Sequence, residues 1–407
     1  EDLQIVVPIF DVELAALEKT ITHIEENKFF ACGSYYAFPE VFTAMDIHWY
    51  QPLVPLVDGF LVVFSDSLME ELLAEIDQST LPSSACTLHK IWDVRYYSGR
   101  MPIPSINTRV FFPCDGGKAT MDAITLHKDW QNVPTFDFDA PYKNDDLAKQ
   151  YYAGELRRFI EFLEKHSGRK YEKSKLQAVV EETNKQYELL MDINELNRST
   201  PAPFGSFAGF FPWHMVQNNP ISNGSPETTR FLETWYDYGI TRLETDRGKL
   251  EKEERIRLLW IDGPPFWGME FNTLLKEEFG AKIVMDMNSF ISASAVIDTS
   301  TEQSMFEGLA SRNTYNPIMV NVVQNTIDDL LQRIEFIVEA YNIDCVIGPG
   351  HKGHKDCSAS LGLINDTCKR IGVPVLNYSF DLFDPRYTTI DEMKVIFSTF
   401  FDAMGLG

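Results

Sequence analysis

Long apolar runs are missing from this chain of 407 residues. None reaches the roughly 18 consecutive apolar positions that a membrane-spanning helix needs, and the opening Glu1 and Asp2 lack the basic start of a secretory signal. Positive charge is scarce as well: 36 Lys and Arg face 60 Asp and Glu, a formal net charge of −24. Such a surface repels nucleic-acid phosphates and anionic lipid. No nucleic acid and no membrane are therefore expected as partners, and a cytoplasmic location is expected. An anionic substrate stays compatible, because a basic pocket can exist on an acidic body. Cysteine is sparse, six in all, without the density of a disulfide framework or the local Cys-x-x-Cys spacing of an obvious metal site. There is no G-x-x-x-x-G-K-[ST] loop, which argues against a P-loop ATPase. Internal repeats and low-complexity tracts are absent too.

What is present is globular material. Hydrophobic residues make up 44% and charged ones 24%, enough apolar side chain for large cores, and at about 150 residues per domain the length suggests two or three domains. The C-terminal part reads most clearly. Arg257-Leu258-Leu259-Trp260-Ile261 is an apolar run stopped by Gly263-Pro264-Pro265, with a helical pattern following to about Phe279 and Gly280. The unit recurs: a strand over 281–285, a helix over 326–341, a strand at Cys345-Val346-Ile347, a helix over 356–370, a strand over 373–378 and a last helix from about Ile390. Strands alternating with helices imply right-handed crossovers and a parallel sheet covered on both faces.

The N-terminal part repeats this logic with strands at 109–112 and 133–138 and further strand candidates at 29–38 and 60–64. Helical patterns over 148–165 and 174–197 and a Pro/Gly/Ser-rich stretch separate the halves. The expected fold is α/β: two flavodoxin-like parallel-sheet domains, 1–145 and 226–407, joined by a helical connecting region over 146–225.

Ligands of parallel α/β sheets sit beyond the carboxyl ends of the strands, so position sorts the cysteines. Cys114 follows its strand directly in Pro113-Cys114-Asp115-Gly116-Gly117, Cys357 lies just past the loop Gly348-Pro349-Gly350-His351-Lys352-Gly353-His354, and Cys86 follows Leu81-Pro82-Ser83-Ser84 at a helix start. A helix N-terminus favours a thiolate. Cys345 opens its strand, Cys368 lies far down a helix and Cys32 sits in an apolar run, so these three read as buried thiols. Cys86, Cys114 and Cys357 fit zinc ligands, catalytic thiols, ligands of an iron–sulfur cluster with one iron left open, or small buried hydrophobes. Two further patterns share one loop. Gly348, Gly350 and Gly353 match G-x-G-x-x-G, but no acidic residue follows at the distance a ribose-binding acid needs. His351, His354 and Cys357 form a possible zinc set that lacks a fourth ligand.

Several segments together carry a resemblance. They are the three cysteines, Gly33-Ser34-Tyr35-Tyr36-Ala37-Phe38-Pro39-Glu40, Pro113-Cys114-Asp115-Gly116, Gly263-Pro264-Pro265-Phe266-Trp267 and Asp381-Leu382-Phe383-Asp384-Pro385-Arg386-Tyr387. In this order the chain resembles the 2-hydroxyacyl-CoA dehydratase and benzoyl-CoA reductase family from about Phe29 to Phe401. The resemblance implies a 4Fe–4S cluster with one non-cysteine-ligated iron, held by Cys86, Cys114 and Cys357. It implies a related second subunit in a heterodimer, an ATP-dependent iron–sulfur activator protein that delivers one electron, and an acyl-CoA substrate.

The implied reaction is elimination of water from a 2-hydroxyacyl-CoA through a ketyl radical. The alternatives are a benzoyl-CoA-type reductase subunit and, from another class, a non-catalytic scaffold subunit with merely buried cysteines. An open iron suits this chemistry, since a Lewis acid stabilises charge developing on the thioester carbonyl oxygen. The resemblance also makes Ser34 and Tyr36 candidate catalytic residues. Substrate-binding dehydratase subunits carry serine where Tyr36 stands and glutamate near Leu53, while the Gly263-to-Trp267 segment is closer to the reductase branch.

Overall fold

The computed structural model describes residues 3–33, 38–51, 66–110, 115–205, 209–265, 267, 269–321, 327–348 and 350–406. Two four-stranded sheets organise them, every pairing parallel. The first contains β1 (Ala31–Cys32), β2 (Trp49–Tyr50), β3 (Ile106–Val110) and β4 (Thr135–Phe138) in the order β2-β1-β3-β4. The second contains β5 (Ile256–Trp260), β6 (Ala281–Asp286), β7 (Cys345–Ile347) and β8 (Val375–Leu376) in the order β6-β5-β7-β8. The two orders are the same. In each, the chain leaves the first strand to one side and then crosses to the other, which opens a crevice at the carboxyl ends of β1 and β3, and again of β5 and β7.

The second sheet shows why its strands read as largely apolar runs. Side chains alternate across a sheet with a period of two. Leu258 and Trp260 of β5 and Cys345 and Ile347 of β7 enter one core, while Leu259, Ile261 and Val346 enter another. Helix α1 (Ile327–Ala340) covers the second face with Leu330, Ile334 and Ile337, joined by Ile364 and Cys368 of α2 (Leu361–Ile371). Helix α3 (Ile390–Ala403) covers the first with Met393, Phe397 and Phe401. Each set repeats every three or four positions, one stripe of a helix. The helix after β5 ends in a widened π turn over Leu275–Phe279, closed by Gly280 at φ +59°.

The helical patterns between the halves are helices Asp146–Ser167 and Lys173–Leu196. The latter packs along the helices Pro39–Ala44 and Pro226–Thr245, and the former along Glu302–Thr314. A buried ion pair ties these layers together. Arg312 donates to Glu40 Oε1 at 2.9 Å, with both side chains 3% exposed, and also to Thr183 Oγ1 at 2.9 Å and the Ala295 carbonyl at 2.7 Å. Its guanidinium lies 4.3 Å from the Tyr187 ring centre.

Differences from the sequence reading are local. The strand expected over 29–38 is only Ala31–Cys32, that over 373–378 only Val375–Leu376, and the helix expected over 356–370 is two helices, Lys355–Ala359 and Leu361–Ile371. Strand Trp49–Tyr50 went unread, as did helix Phe210–Asn218 between the two Pro/Gly/Ser-rich pieces 199–209 and 218–226, and helix Leu3–Glu25. The strand candidate at 60–64 lies outside the described residues. Among the described residues no helix is long and apolar enough to cross a membrane.

Candidate metal centre

Cys86 is the N-cap of the helix Thr87–Tyr97, which runs back toward the start of β3. A crossover helix begins level with the carboxyl ends of its strands, so this N-terminus lies at the ligand-bearing edge, where the helix dipole favours negative charge. The Cys86 side chain is wholly buried. Its Sγ lies 3.1 Å from His351 Nε2, a residue 265 positions away in the loop after β7.

That loop is held by strand-like pairing beyond the sheet. Phe380 N–H donates to the Gly350 carbonyl at 3.0 Å and Lys352 N–H to the Phe380 carbonyl at 2.8 Å. A side chain at Gly350 would place its Cβ 1.7 Å from the Tyr378 carbonyl oxygen. Gly353 has φ +97°, and a Cβ there would lie 2.3 Å from Cys86 N. Gly348 leaves no more room, since a Cβ there would lie 2.2 Å from Asn377 Oδ1. The G-x-G-x-x-G pattern is thus used for close packing onto the β8 segment and onto the Cys86 backbone.

Two of the segments that carried the resemblance meet here through Trp267 and Asp381. Thr87 Oγ1 donates to Asp381 Oδ1 at 2.6 Å, and that same oxygen accepts the N–H groups of Phe383 at 2.9 Å and Asp384 at 3.0 Å. Burial raises the Asp381 pKa above the ordinary carboxylate range, and these three donors oppose the rise. Trp267 Nε1 donates to the Asp381 carbonyl at 2.8 Å. Leu382 N–H donates to His351 Nδ1 at 3.1 Å. At the β5–β7 crevice Asp262 stands at φ +73°, a conformation uncommon for a residue with a side chain. Its Oδ2 lies 2.7 Å from His354 Nδ1. A carboxylate that accepts from a histidine ring is how a metal-facing imidazole is commonly oriented.

Cys86, His351 and His354 each present a ligating atom, and these atoms lie within 4.8 Å of one another. Burial drives the His351 pKa far down, so the ring is neutral. A soft sulfur, wholly buried at a helix N-cap beside neutral nitrogen, fits a thiolate-bound metal or iron–sulfur cluster.

The other sequence candidates fall as follows. Cys357 lies within the short helix Lys355–Ala359 that begins directly after His354, on the loop that packs against Cys86; its side chain is outside the described residues. Cys114, Ser34, Tyr36 and Leu53 lie outside them too. Helix Asp115–Leu126 begins one residue after Cys114, and a Cβ on its Gly116 would lie 2.8 Å from His89 Cδ2 in the first turn after Cys86. Cys345 opens β7 and Cys368 lies in Leu361–Ile371, both fully buried. Burial raises both thiol pKa values, that of Cys368 to about 11. Cys32 is buried in β1, its thiol pushed up to about 12. Sequence reasoning grouped His351 and His354 with Cys357; among the described residues their sulfur neighbour is Cys86. It missed Asp262, and it quoted Asp381 only as the start of a segment that carries the resemblance, without its bond to Thr87. The signal for Asp262 was its place directly after an apolar strand.

The comparisons add one finding. A family model described as 2-hydroxyglutaryl-CoA dehydratase, D-component, matches residues 34–404. A search of curated proteins returned no match.

Proposed function

The chain belongs to the 2-hydroxyglutaryl-CoA dehydratase D-component family, and on that premise we propose that it is the iron–sulfur subunit of an ATP-activated 2-hydroxyacyl-CoA dehydratase. The observation that carries the reading is the buried Cys86 sulfur at a helix N-cap, against which the family's distant segments fold through Thr87, Asp381 and His351. Cys86, Cys114 and Cys357 are the proposed ligands of a 4Fe–4S cluster with one iron not bound by cysteine. The first is wholly buried, the second precedes a helix that abuts His89, and the third lies in the short helix directly after the loop seated against Cys86.

When bound, the cluster would supply a Lewis-acidic iron for a thioester carbonyl oxygen and a store for one electron. The chain's own groups do the rest. Asp381 holds the start of the Cys86 helix through Thr87 Oγ1 and so fixes where the sulfur sits. Asp262 Oδ2 keeps a proton on His354 Nδ1 and sets that ring's orientation. Trp267, Leu382 and Phe383 are buried beside these groups and exclude water, which protects a radical from quenching. Ser34 and Tyr36, which follow β1 in the sequence, are proposed as catalytic residues, with Tyr36 standing where substrate-binding subunits carry serine. The net charge of −24 makes an activator with a basic docking face the natural electron donor.

The test is turnover with the native partner subunit and activator, offering a 2-hydroxyacyl-CoA and benzoyl-CoA in parallel. ATP-dependent dehydration of the hydroxy substrate supports the proposal, and reduction of benzoyl-CoA assigns the chain to the reductase branch instead. If Cys86→Ala leaves both the metal content and the turnover unchanged, the chain is a scaffold subunit.

A further inference from the structure

His351 has no assigned role, and its two ring nitrogens are committed in different ways. The backbone N–H of Leu382 points at Nδ1 at 3.1 Å, so Nδ1 is an acceptor and carries no proton. A neutral imidazole must then carry its proton on Nε2. Nε2 is the atom 3.1 Å from Cys86 Sγ, so the ring is a donor toward sulfur. The geometry is not adjustable from the ring's side: His351 is 1% exposed, its backbone pairs with Phe380, and Gly353 packs on the Cys86 backbone. Hydrogen bonds to ligating sulfurs are among the determinants of an iron–sulfur potential, because they draw electron density from the sulfur and favour the reduced cluster.

Resting on the function proposed above, we infer that His351 is a positioning residue whose Nε2–H bonds the Cys86 sulfur, locked as donor by Leu382, and thereby raises the potential at which the cluster takes its electron. The inference separates two substitutions by the nitrogen each one mimics. In His351→Gln the side-chain amide nitrogen stands near the Nε2 position and still reaches the sulfur. In His351→Asn the amide stays near Nδ1, where its oxygen accepts from Leu382 but nothing reaches Cys86.

The test has two readouts on the full chain. In metal-free protein labelled with nitrogen-15 at histidine, NMR should show His351 protonated at Nε2, and protonation at Nδ1 overturns the inference. After anaerobic reconstitution, a redox titration followed by electron paramagnetic resonance should show equal iron in wild type and both variants. The midpoint should be lower in His351→Asn and close to wild type in His351→Gln. Equal midpoints in all three overturn the inference, as does loss of iron in His351→Gln, which would make the ring itself a ligand. A wild-type chain that takes up no iron contradicts the proposed function, while the nitrogen spectrum still decides the tautomer.

Discussion

Asp262 Oδ2 and His354 Nδ1 lie 2.7 Å apart and join the carboxyl end of β5 to the loop after β7. Asp262 pays for this position with a left-handed backbone at φ +73°, a conformation that asparagine also tolerates. Asp262→Asn should therefore keep the fold and lose the charged acceptor that orients His354. Turnover should fall about 10- to 100-fold, the usual effect of removing a partner that orients a metal-facing histidine. Unchanged turnover at unchanged stability would show that the pair is structural only.

Gly353 offers a sharper test of the packing between the loop after β7 and the Cys86 helix. In Gly353→Ala the new Cβ would meet Cys86 N at 2.3 Å, and the φ of +97° is strained for alanine. Both effects push the loop away from Cys86. A lower melting temperature together with reduced metal uptake is expected, whereas Gly372→Ala, with nothing within 4 Å of its Cβ, should cost stability alone. Thermal melts and metal analysis of the two variants make the comparison.

The buried Arg312–Glu40 pair links two helices, with Arg312 reaching a third through Thr183, and removing one partner strands the other charge. Arg312→Met should destabilise by about 3–5 kcal/mol, and the double variant Arg312→Met with Glu40→Gln should recover part of that. Urea unfolding measures both; additive losses would mean that the two side chains act independently.

Much of this arrangement could be read from the chain before any coordinates. The strands Ile256–Trp260 and Ala281–Asp286 stood out because both of their faces are buried, which leaves the apolar runs Leu258–Ile261 and Ile283–Met285 next to the buried Arg257 and Lys282. Cys345 and Cys368 were rightly placed away from the loop, one opening a strand and the other one turn beyond Ile364 on a helix stripe. Trp49–Tyr50 was not legible, since two residues carry no periodicity. Helix Phe210–Asn218 was hidden by the prolines, glycines and serines around it. The association of Cys86 with His351 has no local signal at all. It depends on Gly350 and Gly353 permitting backbone approaches that only the folded chain defines.

Acid should weaken the fold through two buried histidines. Burial lowers the His48 pKa to about 3 and that of His214 to about 4, against about 6.5 in the unfolded chain. Between those values the unfolded state binds the proton and the folded state does not, so stability falls as pH drops below about 6.5. Each group contributes a slope of up to about 1.4 kcal/mol per pH unit. His48→Gln and His214→Gln should each flatten the stability profile between about pH 6.5 and pH 4, measured by urea unfolding across that range. Profiles parallel to wild type would contradict these assignments.

The central claim is that Cys86 belongs to an iron–sulfur site formed where the two sheets present their carboxyl edges. Iron and acid-labile sulfide analysis of anaerobically reconstituted protein, read beside electron paramagnetic resonance of the reduced sample, tests it most directly. Wild type and Cys345→Ala should each hold about four irons and four sulfides per chain, and Cys86→Ser and Cys357→Ser should hold markedly less. Colourless wild-type protein, a single metal ion without sulfide, or iron lost from Cys345→Ala while Cys86→Ser keeps it would contradict the claim.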